Sequence, residues 1–253
     1  MRIDFKLITE HLFNGVIWKM EVDTSQELLF VETRNAENHT AAFSSLSLKT
    51  GKNHFTELLS EEKWLIGIAG GRNGMLFLHC YSSEQSPEHK AVIALDAFTG
   101  KQVWADYNLS AETFTTSGLL VTDQRFQTKK TVLLDYKTGK ILQKPNELYE
   151  DFQQITQPLM LRLPPKNLTD LIADEIVGEI SLVNYNPYLI ISLHTQKNGA
   201  LQQQLFILKN DEIVYQDLLN EQIQKLQPEA FMVVKNRLVY LKNKIILKVL
   251  NLS

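Results

Sequence analysis

Residues 91–104 read Ala-Val-Ile-Ala-Leu-Asp-Ala-Phe-Thr-Gly-Lys-Gln-Val-Trp. An apolar run from Ala91 to Leu95 reaches Asp96. Thr99-Gly100 then offers a tight reversal, because Gly takes the positive φ such a turn needs, and Lys101 to Trp104 opens a second short strand. The Asp96 carboxylate can accept from backbone N–H groups across the turn and fix its shape. The stretch predicts a β-hairpin, and it recurs. Residues 46–52 read Leu-Ser-Leu-Lys-Thr-Gly-Lys and residues 134–140 read Leu-Asp-Tyr-Lys-Thr-Gly-Lys. The repeated turn residues are thus Thr50 and Gly51; Asp96, Thr99 and Gly100 with Trp104 beyond; and Asp135, Thr138 and Gly139. The three glycines stand 49 and 39 residues apart, close to the period of roughly 40–50 residues of a propeller blade.

Two further strands are expected before each hairpin: 16–20 and 28–31 in the first copy, 64–68 and 75–78 in the second, 113–115 and 119–121 in the third. Each unit therefore reads as four strands, one blade. A fourth, degenerate unit begins near Glu179, with Asn210-Asp211 in place of Thr-Gly and expected to make the same turn. A fifth, from Ala230 to Leu250, is one strand short, and the unassigned segment Ile3–Ile8 can supply the missing strand. Pairing the two ends in one sheet would close the ring and remove open strand edges. The expected fold is all-β, a five-bladed β-propeller closed by its N- and C-terminal strands; division of the length by about 42 residues per blade leaves six as the alternative. Residues 1–253 are read as one domain with an insertion at about 147–178. There, 159–163 is a strand candidate and 167–175 a short helix.

The run Ala91–Trp104 resembles the repeat of the quinoprotein-type (PQQ-like) β-propellers, Leu-Asp-Ala-x-Thr-Gly followed by Trp. The likeness weakens at 132–142, where no Trp follows, and further at 42–55, where Ser47 replaces Asp and Phe55 is the aromatic. About half the chain carries it; the whole also resembles bacterial propellers of unknown function. The resemblance implies structural roles: the Asp, Thr and Gly set the turn and the Trp docks the blade edge. It does not imply the quinone. Those dehydrogenases are about twice as long, and stack the quinone on a disulfide between adjacent cysteines beside calcium. This chain has one cysteine, Cys80, so no cofactor is expected.

Composition narrows the rest. Lys and Arg total 26 against 29 Asp and Glu, a net charge of −3, which lacks the basic surplus that drives nucleic-acid binding. No disulfide or Cys-rich zinc site can form within the chain. Charges at Arg2, Asp4, Lys6 and Glu10 interrupt the first residues, unlike a secretory signal. No apolar run approaches the roughly 18 residues of a membrane span. A cytoplasmic location without membrane insertion is expected.

The chemistry-bearing residues read mostly as structural. The six histidines lack metal-site spacing, and His39 and His89 read as solvated loop residues. His79 and Cys80 are adjacent in a strand, so they point to opposite faces. Gly70-Gly71-Arg72-Asn73-Gly74 precedes a strand rather than a helix, which argues for a hairpin turn over a phosphate cradle. Asp170, Asp174, Glu175 and Glu179 read as a solvated face, and the Asn167 sequon as incidental. Trp18, Trp64 and Phe114 are expected in equivalent places of successive first strands, packed in the core, with an aromatic-lined pocket as the alternative. No catalytic or metal-binding residue is assigned. Glu21, Asp23, Glu112 and Glu179 are the acids available to an axial pocket. The expected function is a non-catalytic scaffold or binding module with a protein partner. The alternative is a small-molecule or carbohydrate-binding propeller, a hydrolase or lyase if carboxylates converge.

Overall fold

The computed structural model describes residues 5–126, 128–144, 149–150, 152–162, 171–172, 174–197, 199–227 and 231–253. Their regular structure is all β-strand, in antiparallel sheets whose strands mostly follow chain order. Contacts divide the chain into two compact units, Phe13–Gln153 and Met1–Leu12 with Gln154–Ser253. No helix among the described residues is long and apolar enough to cross a membrane.

The 13–153 unit holds three four-stranded sheets. The first comprises β2 (Val16–Asp23), β3 (Leu28–Asn35), β4 (Thr40–Ser47) and β5 (Asn53–Leu59). The second comprises β6 (Ile66–Arg72), β7 (Met75–Ser83), β8 (Ser86–Asp96) and β9 (Gln102–Asp106). The third comprises β10 (Leu109–Thr115), β11 (Gly118–Asp123), β12 (Lys130–Leu134) and β13 (Ile141–Leu142). The second sheet is the filling between the other two. Leu76, Leu78, Ile93 and Leu95 join Phe30 and Phe43 of the first sheet in one core. Their sequence neighbours Met75, Phe77, Val92 and Ala94 join Leu119, Val121 and Leu134 of the third in another. Successive strand residues face opposite sides, so a sheet covered on both faces needs a continuous apolar run rather than an alternating one. Residues 75–78 and 91–95 are that run. The leading strands touch in order, β2 to β6 and β6 to β10.

The repeated turns form the seams. Asp96 Oδ1 accepts from the Phe98 and Thr99 N–H groups and from the Thr99 hydroxyl; Asp135 does the same toward Lys137 and Thr138. Ser47, shorter and uncharged, accepts only from the Thr50 N–H at 3.2 Å. Gly100 and Gly139 have φ of 71° and 66°, and each lies under an aromatic from the preceding sheet. A Cβ on Gly100 would sit 3.2 Å from the Phe55 ring, and one on Gly139 2.7 Å from the Trp104 indole. The indole N–H donates to the Tyr136 carbonyl at 3.0 Å. A flat ring lies flush on backbone only where no side chain intervenes.

The terminal unit holds two five-stranded sheets. One runs β15 (Leu159–Leu161), β16 (Glu175–Tyr185), β17 (Tyr188–Lys197), β18 (Ala200–Lys209), β19 (Glu212–Ile223). The other runs β1 (Leu7–Leu12), β22 (Ile246–Asn251), β21 (Arg237–Lys242), β20 (Phe231–Val234), β14 (Ile155–Thr156). The chain ends meet, with Leu12 opposite Ile246 and His11 opposite Leu247. The segment expected as an insertion thus supplies an edge strand to each sheet, at 155–156 and 159–161. Too short to show a period, these strands pair by register alone. Residues 167–170 and 173 of the expected helix, Asn167 and Asp170 among them, and Leu163 of the expected strand lie outside the described residues. Glu175 opens a strand instead. Asn210 and Asp211 both take positive φ and close a two-residue turn between Lys209 and Glu212, tighter than the Thr-Gly turn it was expected to copy.

Candidate functional site

The first two sheets of the 13–153 unit carry one cluster of aromatic and ionisable side chains. Each leading strand of the 13–153 unit carries one extra residue against its partner. Ile17 pairs Thr33 and Lys19 pairs Glu32, which leaves Trp18 unmatched; Ala69 and Glu112 hold the corresponding places in β6 and β10. Such a bulge re-aims a side chain and breaks the two-residue alternation. Trp18 is therefore turned outward and 68% exposed, not packed in the core as expected. Trp64 precedes β6 instead of lying within it. Phe114 alone packs inside, its ring pressed on Gly70, while the Phe30 ring presses on Gly71. Those two glycines are strand residues under aromatic rings, and the turn is Asn73-Gly74 alone.

Trp18 and Trp64 line one groove of about 870 Å³ together with Val16, Arg34, His39, Tyr81 and the segment Ser83–Pro87. His39 stacks on the Trp64 ring, 4.2 Å between centroids, and meets Glu84 at 3.3 Å. The Arg34 guanidinium lies over Trp64, donates to the carbonyls of Trp64 and Ile66, and pairs with Glu32 Oε1 at 2.6 Å. Glu32 is buried and accepts the Ile68 N–H on Oε2 at 2.8 Å. Lys19 donates to the Ile68 carbonyl at 2.9 Å and meets Glu21 at 3.2 Å. Arg34 is thus spent holding the backbone at the entry to β6.

Beside the groove His79 and His89 stack face to face, 3.7 Å between centroids and 12° between planes, and Tyr81 stands edge-on to both. His89 is a strand residue of β8, not the isolated loop residue the sequence suggests. His79 is 3% exposed. Burial drives its pKa down to about 3, with His89, Lys19 and Arg34 adding repulsion, so the ring is neutral near pH 7. Burial raises the Tyr81 phenol, and Glu32 reinforces the shift. Only the cross-strand register, with its shifts between β7 and β8, reveals this cluster.

The four acids named from the sequence each hold partners of their own. Asp23 is buried, with Oδ1 accepting from Ser25 and Gln26 and Oδ2 from the Gly74 N–H. Glu21 sits on Lys19. Glu112 holds Thr122 and Lys129, whose hydrogen bonds, Lys129 first, keep it below the usual carboxylate range. Glu179, in the terminal unit, meets Arg162 at 3.6 Å. The Cys80 thiol, raised by burial, lines a separate cavity of about 310 Å³ with Phe43, Leu58 and Tyr107.

A family model described as a domain of unknown function (DUF4905) matches residues 22–104, from the end of β2 into β9. No curated protein matches the chain. Among solved structures the chain is similar to a europium-containing methanol dehydrogenase, at 12% identity and a TM-score of 0.34, over 95% of this chain and 52% of that one. It is also similar to an oligogalacturonate lyase in complex with manganese, at 9% identity and a TM-score of 0.31, over 100% and 97% of the two chains. The chain spans about half the length of the methanol dehydrogenase.

Proposed function

We propose that the chain is a non-catalytic binding module built as a five-bladed β-propeller, and that the Trp18–Trp64 groove is its recognition surface. Five sheets in chain order, aromatic-on-glycine seams and paired chain ends support the architecture. The function rests on one observation: a bulge turns Trp18 out to 68% exposure on a groove that Trp64 also lines. Exposing a large aromatic costs about 1.5–3 kcal/mol of burial, a cost that a ligand covering the ring recovers. The ionisable groups in that groove support recognition without chemistry. Arg34 is fully engaged, and His39 and Glu84 pair with each other. The test is to pan a displayed peptide library and a glycan array against wild type and Trp18→Ala. Binders whose retention falls at least tenfold in the variant support the groove; binders indifferent to Trp18 would overturn it.

A further inference from the structure

The cavity of about 310 Å³ between the first two sheets shares no lining residue with the Trp18–Trp64 groove. Phe43 and Leu58 line it from the first sheet, and Leu78, Ile93 and Leu95 from the second. Phe43, Leu78, Ile93 and Leu95 belong to the core those sheets share, with Leu58 packed against it, so the cavity opens onto the core itself. Cys80 stands among them, 8% exposed and a free thiol. Burial pushes that thiol up, and Glu62 reinforces the shift. It stays protonated near pH 7 and acts as a small apolar lining group, not a nucleophile.

The lining residues exposed to solvent are mostly polar: Glu61, Glu62, Gln102 and Tyr107 beside Leu59. Two are carboxylates, and among the described residues no Lys, Arg or His lines the cavity. Glu62 Oε1 accepts from the Trp64 and Leu65 N–H groups, both at 3.0 Å. Those bonds keep its carboxyl below the usual carboxylate range, so it is negative at pH 7. Charge and shape together select the occupant. An anion would meet Glu61 and Glu62 with no lining cation to offset them. A bare cation would leave the apolar wall wet. An ammonium on an apolar body meets both surfaces: it donates to the carboxylates while the body covers Leu58, Ile93 and Cys80. A volume of about 310 Å³ lies at the small end of ligand sites, roughly 300–1,000 Å³. At about 30 Å³ per water-sized group it holds about ten non-hydrogen atoms.

We propose that this cavity is a second ligand site, that its ligand is a small amine with an apolar alkyl or aryl body, and that Glu61 and Glu62 take the ammonium while Cys80 borders the body. The site is independent of the Trp18–Trp64 groove and stands whether or not the groove binds.

Cys80 is the only cysteine, so its alkylation by iodoacetamide, followed by intact mass, reads whether the cavity is filled. The probes share one skeleton: 2-phenylethylamine, 2-phenylethanol and phenylacetate, each titrated to about 10 mM, with glutathione as the control for effects on the reagent. Exposed ion pairs add at most about fivefold each. The amine should therefore protect Cys80 at a concentration at least about threefold lower than the alcohol, and phenylacetate should not protect. In Glu61→Gln with Glu62→Gln, checked by far-ultraviolet circular dichroism, the amine should lose its advantage; Gln at 62 can still accept the two N–H groups. About 500 mM salt should narrow that advantage in wild type, so the charge assignment is testable even if the double variant does not fold. In Trp18→Ala the protection should be unchanged. Alkylation that no probe slows, or a thiol that reacts only after unfolding in urea, would overturn the site. An amine no better than the alcohol, or equally good in the double variant, would overturn the ammonium assignment. Protection lost in Trp18→Ala would move the amine to the groove and overturn the proposal.

Discussion

Substituting Gly139 by Ala tests the seam between sheets. Two costs are expected. At φ of 66° a Cβ strains the backbone by about 1 kcal/mol. The new methyl also sits 2.7–3.0 Å from three atoms of the Trp104 indole. Relieving that overlap requires the ring to lift, and overpacking of this kind costs about 1–3 kcal/mol. Gly139→Ala should therefore lose about 2–4 kcal/mol. All three nearest atoms belong to Trp104, so in a Trp104→Ala background the clash disappears and only the strain of about 1 kcal/mol remains. The assay is urea unfolding followed by tryptophan fluorescence, since Trp18 and Trp64 lie in the same unit and still report it in the Trp104 variant. A double-mutant cycle should return a coupling of about 1–3 kcal/mol. Additive effects within about 0.3 kcal/mol would refute the docking of ring on glycine.

Three further outcomes are expected. In Ser47→Asp the turn gains the bonds that Asp96 and Asp135 make; the unfolding midpoint should rise by the equivalent of about 0.5–1 kcal/mol, and an unchanged midpoint would contradict the equivalence of the three turns. Asp217 accepts from Lys242 at 2.7 Å, Lys248 at 2.9 Å and Tyr240 at 2.8 Å. Burial raises its pKa, and those three bonds outweigh it, so the carboxyl is net lowered. Its stabilisation is then complete above the ordinary carboxylate range and lost as pH falls below it. Asp217→Asn should cost about 2 kcal/mol, discounted from a fully buried pair, and remove that acid limb from calorimetric Tm against pH. His79 binds its proton near pH 6.5 when unfolded and near 3 when folded. Stability of the 13–153 unit is full above pH 6.5 and should fall by about 2 kcal/mol by pH 5; His79→Phe should flatten that fall, and an equally steep profile would refute the burial of a neutral ring.

The hairpins were legible because their signals are local. Asp and Thr-Gly act within six residues, and the apolar run 91–95 needs only period two to be divided between two cores. The site was not legible, because its signals are matters of register. One extra residue at Trp18 inverts the parity of β2 and carries a tryptophan from the core to the surface. A register shift between Leu78 and Cys80 contributes to bringing His79 onto His89, ten positions apart. Glu32 and Arg34 read as an ordinary alternating strand end, and their burial follows only from β6 packing against them. Gly67 reads as any strand glycine, and only the fold brings Glu32, His79 and Tyr81 against it. The edge strands at 155–156 and 159–161 were too short to carry any pattern.

The account depends most on the chain ends sharing one sheet. Leu12 and Ile246 are directly opposed on β1 and β22, and opposed residues of an antiparallel pair have Cα atoms about 4.5–5.5 Å apart, within disulfide reach. In a Cys80→Ser background, Leu12→Cys with Ile246→Cys should oxidise to a single intramolecular disulfide. A single proteolytic cut between the two positions should then leave the fragments joined until reductant is added. Thiols that stay free under oxidant, in protein of native circular dichroism, would contradict the pairing and the ring closure proposed from it.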